Sequence, residues 1–379
     1  MKRNKLISPA IVIALTITLI VLVNCKKEDP ISPLPENIEA YNPTPWVFEI
    51  PYGFPTEISI PEDNPLTEEG IELGRHLFYD GRLAGRDHLD SLMSCSSCHR
   101  QNLSFELGSH PVSTISGIQT PHVMLPLINL AWNPGTYLWN GKVKQIEDLV
   151  WMGIVAPHEM NSDTNRAVAM LRSIPMYAEM CKKAFGTDQI TIDLASKAIA
   201  QFIMTLVSAN SKFDRYLRGE YQLSAAELDG FVLFTTEEGA DCFHCHGASG
   251  NPLFTTHLFY NNGKDSVFND TRDRFAVTGD PMDIGAYKAT TLRNIEFTGP
   301  YMHDGRFQTL EEVINFYSES LIHSPSISPL MHHLVYGGNQ LTPTEKQNLL
   351  AFLKSLTDTD FLTNPAFSNP RPTDPFFIN

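Results

Sequence analysis

Apolar residues recur at helical intervals in several separate stretches of this chain, and no stretch alternates as a half-buried strand requires. The clearest are "NPLTEEGIELGRHLFYD" (64–80), "NRAVAMLRSIPMYAEMCKKAF" (165–185), "IDLASKAIAQFIMTLVSANSKFDRYL" (192–217) and "QLSAAELDGFVLFTTEEGADCFHCH" (222–246). "TLEEVINFYSESL" and "TPTEKQNLLAFLKSLTD" follow towards the C-terminus. Three of these carry start signals: Ser224 with Glu227, Thr309 with Glu312, and Thr342 with Glu345 are spaced as capping boxes, and Pro343 sits at a first helical position. Residues 247–308 show little periodicity and read as a long loop. The pattern predicts a mainly α-helical protein with long irregular loops.

The first 25 residues stand apart. A basic "MKRNK" leads into the apolar run "LISPAIVIALTITLIVLV", which ends at "LVNC". This reads as a lipoprotein signal peptide (1–25) whose cleavage exposes Cys25 for lipid attachment. An uncleaved membrane anchor is the alternative, since the run is long enough to span a bilayer. Both readings give an exported, membrane-tethered body in the periplasm or cell envelope. Residues 26–50, rich in proline and polar side chains, read as a tether.

Composition narrows the picture. With 379 residues, 42% of them hydrophobic, the chain can bury more than one core. Its 26 prolines and 23 glycines favour helices joined by substantial loops, of the kind that wrap a cofactor. A net charge of −15 argues against nucleic acid and for a basic protein partner.

Cysteine usage then points to chemistry. Of 6 cysteines, four form two Cys-x-x-Cys-His motifs, Cys95/Cys98/His99 and Cys242/Cys245/His246. On a helical turn, cysteines at i and i+3 face one side and reach the two vinyl groups of one porphyrin, and the following histidine supplies the proximal iron ligand. A structural zinc would need four ligands close together, and a redox disulfide would leave the repeated histidine unexplained. The motifs therefore predict two covalent c-type haems. Cys181, in a helical stretch, reads as a small buried hydrophobe.

Several further motifs, in order, resemble the bacterial dihaem cytochrome c peroxidases and their relative MauG: "LGRHLFYDGRL", "SCSSCH", "INLAWNPGTYLWNG", "IEDLVWMGIVAPHEMN", "KFDRYLRGE", "CFHCHGA" and "TLRNIEFTGPYMHDGRFQTLEEV". The resemblance runs from about residue 55 to 357. It implies two cytochrome c-like domains, an N-terminal peroxidatic one (51–215) and a C-terminal electron-transfer one (216–360), followed by a tail (361–379). It makes His99 and His246 the proximal ligands. Trp139 falls where the family has an indole relaying electrons between the haems, with a core tryptophan as the alternative. Glu159 falls on the family's distal acid/base, a role suited to a buried carboxyl that moves a proton between peroxide oxygens; an exposed surface glutamate is the alternative. His158 beside it reads as a bystander.

The departures from the family pattern are also specific. Its distal glutamine is Leu149 here. The loop histidine that caps the N-terminal haem at rest is replaced by Ser116, with His110 and His122 at other offsets, which implies an open or water-filled sixth site. A calcium ion between the domains would take the carbonyls of Thr298 and Pro300, but the family's asparagine ligand is Val123, and calcium wants several oxygens. Where the well-known peroxidases place a methionine on the C-terminal haem, this chain has Tyr317, as MauG has tyrosine; Met302 and Met331 are alternative ligands. Tyr317 shares a helical face with Leu310, Val313 and Ile314, so a core aromatic is the competing reading. An oxygen ligand favours ferric over ferrous iron.

Three functions follow as expectations. One is reduction of hydrogen peroxide with electrons from a reduced cytochrome c or copper protein. Another is a MauG-like oxidation of side chains on a protein substrate. The last is plain electron transfer. A homodimer is a further expectation.

Overall fold

In the computed structural model, residues 41–379 are described, apart from Asp87 and Ser249. The expected signal segment with Cys25, and the tether as far as residue 40, lie outside the described residues. Twelve helices are found among the described residues. The first half carries α1 (Glu68–Tyr79), α2 (Ile146–Val155), α3 (Thr164–Arg172), α4 (Pro175–Phe185), α5 (Ile192–Met204) and α6 (Lys212–Leu217). The second half carries α7 (Ala225–Thr235), α8 (Phe243–His246), α9 (Phe275–Thr278), α10 (Leu310–Glu319), α11 (Pro343–Ser355) and α12 (Thr359–Thr363). None is long and apolar enough to cross a membrane.

The start signals act as the sequence predicts. Ser224, Thr309 and Thr342 each accept the backbone N–H of the glutamate three residues on, and each box is closed in return by that glutamate. Cys181 is fully buried within α4.

Two apolar clusters form the core. In the first, α1 packs across α4 and α5, and α2 lies against α5, with Leu73, Leu77, Ile199 and Phe202 wholly buried. In the second, α7 packs on α11 around Phe213, Phe234 and Phe352. Each main crossing turns on a glycine. A Cβ on Gly74 of α1 would lie 1.9 Å from the Ala198 carbonyl oxygen of α5, and one on Gly230 of α7 would lie 2.0 Å from the Asn348 carbonyl oxygen of α11. Backbone meets backbone at both points, so no side chain can yield.

The long stretch 247–308 holds one antiparallel pair, β1 (Phe259–Tyr260) with β2 (Tyr287–Lys288), Phe259 opposite Lys288. Side chains pin the rest. Arg293, 1% exposed, donates to both oxygens of Asp214 at 2.8 and 2.7 Å and to the Pro252 carbonyl at 2.6 Å. Such a pair stabilises only because both partners are fully hydrogen-bonded, Asp214 also accepting from Ser211. Residues 361–379 return to the first core: Phe361, Phe367 and Phe377 are buried in it, the Tyr79 hydroxyl donates to the Phe367 carbonyl at 2.7 Å, and Ser96 donates to the Ile378 carbonyl at 2.7 Å.

The α7–α11 crossing gives a direct check. Gly230→Ala should lower unfolding free energy by about 1–3 kcal/mol, the usual cost of overpacking where backbone cannot move aside. Denaturant unfolding measures it, and a cost near zero would contradict the close approach.

Candidate functional site

The first Cys-x-x-Cys-His motif forms a single 3₁₀ turn, Cys95–Ser97, closed by Ser94 and Ser97 in a reciprocal box. The turn puts the His99 amide on the Cys95 carbonyl at 2.9 Å. The His99 Nδ1 hydrogen-bonds the Phe105 carbonyl at 2.7 Å, and Phe105 is itself buried with φ of 57°. Burial pushes the His99 imidazole pKa down, which favours the neutral ring, and the Phe105 carbonyl, able only to accept, selects the tautomer with the proton on Nδ1. The second motif forms α8, with the His246 Nδ1 on the Thr290 carbonyl at 3.1 Å and burial lowering the imidazole pKa to about 4. A backbone carbonyl on one ring nitrogen is the usual way a metal-binding histidine is oriented.

Each motif lines its own cavity, of about 510 Å³ around His99 and about 220 Å³ around His246. Both thiols of each motif lie in the walls, and burial raises Cys95 to about 12, Cys98 to about 11 and Cys245 to about 12. The donor set fits a haem at each motif: two cysteines three residues apart, then an imidazole with its second nitrogen tied back. A second observation agrees in the first cavity, where the buried Nε2 of His257 has no hydrogen-bond partner among the described residues.

In the first cavity part of the wall comes from α2 and the turn after it. Leu149, Met152 and Gly153 line it, with His158 and Glu159. The Glu159 carboxyl has no hydrogen bond or ion pair among the described residues, and burial alone raises its pKa to about 7. Gly153 lies beside it: a Cβ there would meet the Glu159 Oε2 at 3.9 Å, ordinary van der Waals contact. Ser116 donates to the Pro157 carbonyl, so its loop sits against this turn. His122 also lines the cavity, but its Nε2 is engaged by Asp270, and His110 lies under Gly305.

In the second cavity the α10 face of Leu310, Val313, Ile314 and Tyr317 points inward. The Tyr317 hydroxyl accepts from Asn262 Nδ2 at 2.8 Å, and that same amide reaches Met302 Sδ at 3.5 Å. Met331, Thr298 and Pro300 line the cavity too. At the family's asparagine position stands the buried hydrocarbon of Val123, whose amide donates to the His303 carbonyl at 2.9 Å.

Trp139 lines both cavities, as do Val123 and Lys288. Its indole N–H donates to the Val123 carbonyl at 2.8 Å, and its own carbonyl accepts from the Lys288 amide at 2.9 Å. No pattern of residues marks His257, or a cluster of His122, Asp270, Tyr287 and His303 beside Trp139. Their side chains meet only through long-range folding: Asp270 bonds both the His122 ring, 148 residues away, and the Tyr287 hydroxyl, at 2.9 Å.

Comparison with known proteins agrees with this geometry. The family model for di-haem cytochrome c peroxidase matches residues 68–222. The methylamine utilization protein MauG of Methylorubrum extorquens is 32% identical over 304 residues, covering 80% of this chain and 82% of that protein. The cytochrome c551 peroxidase of Nitrosomonas europaea is 34% identical over 304 residues, covering 77% and 81%. Among solved structures, a MauG-like protein associated with microbial copper homeostasis superposes with a TM-score of 0.77 at 34% identity, covering 86% of this chain and 99% of that one.

Two independent motifs imply two independent attachments. Replacing Cys95 and Cys98 together by alanine should leave one covalent haem per chain in a pyridine haemochrome assay, and the Cys242/Cys245 pair should behave alike; a variant retaining two would refute the assignment.

Proposed function

The chain belongs to the dihaem cytochrome c peroxidase and MauG family, and from that premise we propose that it reduces hydrogen peroxide to water with electrons from a small exported redox protein. The observation that carries this reading is the Glu159 carboxyl, half-buried in the wall of the His99 cavity with no partner among the described residues. Cleaving peroxide to two waters consumes two electrons and two protons. A haem held by Cys95, Cys98 and His99 supplies the electron chemistry when bound. Glu159 accepts a proton from one peroxide oxygen and delivers it to the other as the O–O bond breaks. A carboxyl with a pKa near 7 does both at neutral pH, because neither protonation state is costly to reach. Leu149 adds only hydrocarbon to this wall, so no amide at that position assists Glu159. His158 stays a bystander.

Electrons enter on the His246 side and cross at Trp139, whose ring stands in the wall common to both cavities. The net charge of −15 suits a donor with a basic docking face. The proposed setting is the periplasm or cell envelope, with Cys25 as the point of lipid attachment. Calcium on the Thr298 and Pro300 carbonyls forms no part of the proposal, because Val123 offers no oxygen from its side chain.

One observation favours a second reading, the MauG-like oxidation of a protein partner. The Tyr317 hydroxyl faces the second cavity beside the Met302 sulfur, and the two share Asn262. An oxygen ligand there would hold that iron ferric and disfavour a stored electron, whereas the thioether would favour it. Magnetic circular dichroism of the oxidised protein separates them: a sulfur-to-iron charge-transfer band supports the donor-fed peroxidase, and its absence the oxidase.

The carboxyl chemistry has a pH signature. Glu159 must be ionised to accept the first proton, so kcat/KM for peroxide should rise with pH and level off above about 7. Glu159→Gln should lower turnover roughly 10²-fold and abolish that step. A flat profile in the native protein, or full activity in the variant, would contradict the proposal, as would failure to oxidise any of several reduced cytochromes.

A further inference from the structure

We propose that His122, Asp270 and His303 form a binding site for a divalent first-row transition-metal ion in the wall between the two cavities. One ring nitrogen from each histidine and a carboxylate oxygen of Asp270 lie within 4.8 Å of one another. His122 Nε2 already touches Asp270 Oδ2. An ion with bonds of about 2.0–2.2 Å spans such a set after a small inward movement of the third ligand.

His303 is the observation that points to a ligand. Its side chain is 9% exposed, and among the described residues its imidazole makes no hydrogen bond or ion pair. What holds it is ring contact: it stacks on Tyr287 at 3.5 Å and 15°, edge-on to His122 at 5.3 Å and to Trp139 at 6.3 Å. His303 lines the second cavity, and a metal ion would take up a ring lone pair that no described residue engages. The outer contacts that a metal site needs are already present. Asp270 accepts the Tyr287 hydroxyl at 2.9 Å on Oδ2 and the Arg272 amide at 2.9 Å on Oδ1, and the Tyr287 ring fixes the plane of His303.

Two imidazoles and one carboxylate suit zinc, iron(II) or copper(II) and not calcium, which takes oxygen ligands. The family's calcium would lie close by, since Val123 replaces its asparagine and follows His122 directly. His122 lines the first cavity and His303 the second, so the ion would sit beside Trp139, between the two redox centres. A fixed positive charge there makes both centres easier to reduce.

Zinc is the probe. The holoprotein with both haems is stripped with a chelator, incubated with Zn²⁺, desalted, and analysed for metals with its own iron as internal standard. One zinc per two irons is expected, with the reduction potentials of both haems raised when zinc is bound. His303→Ala and Asp270→Asn should each cut bound zinc at least ten-fold while iron content and Soret spectrum stay unchanged; His122→Gln replaces either variant that loads haem poorly. His332→Ala, in the more exposed group Glu237, His244 and His332, should leave the zinc in place. No zinc on the native protein, zinc lost only with His332→Ala, or displacement by equimolar calcium would each overturn the proposal.

Discussion

A buried imidazole can offer only one nitrogen to a metal, and its orientation is only as good as the bond on the other. In this protein that second bond comes from the backbone of a loop each time: Phe105 for His99 and Thr290 for His246. The 3₁₀ turn and the short helix α8 place the cysteines and the histidine on one side, but they do not set the rotation of the ring. The carbonyl does. Everything that keeps Phe105 and Thr290 fixed is therefore part of the haem-binding apparatus, although neither residue carries any chemistry of its own.

That dependence explains why so much polar bonding ties down the loops that form the cavity walls. Thr290 belongs to a stretch with little regular structure, and such a stretch holds position only if its polar groups find partners. Arg293 joins it to Asp214 and to Pro252, Thr291 donates to the Leu253 carbonyl, and Thr255 to the Ala289 carbonyl. On the other side, Phe105 is packed by the ring of Phe78 in α1 and by Phe361 and Phe367 of the returning tail. The glycine crossings at Gly74 and Gly230 bring the helices close enough for these cores to close behind the histidines.

Legibility in the sequence followed the range of the interaction. Capping boxes act over three residues and the haem motifs over five, so both could be read directly, as could the buried place of Cys181. The resemblance carried attention to Glu159, Trp139 and Tyr317, and periodicity alone would have passed over all three: a glutamate in a turn, a tryptophan in a loop and a tyrosine on an apolar helix face look ordinary. Less could be seen of residues 247–308, where β1, β2 and α9 are too short to leave a period and side-chain bonds define much of the path. The tail 361–379 gave no sign of returning to the first core, since its aromatic residues are spaced for contact with distant partners. His122, Asp270, Tyr287 and His303 come from three separate segments, and only the closed fold makes them neighbours.

Both cavities share the wall at Trp139, while the Glu159 carboxyl, without a partner among the described residues, stands in one of them only. On the proposed reading this asymmetry divides the work: proton handling on the His99 side, electron supply on the His246 side, and an indole between. Anaerobic titration of the fully reduced protein with hydrogen peroxide, followed in the visible spectrum, tests this pairing most directly. One equivalent per chain should return both haems to the oxidised state, because one peroxide takes two electrons and the chain holds one on each side of Trp139. If one haem stays reduced until a second equivalent arrives, the two centres do not act as a pair.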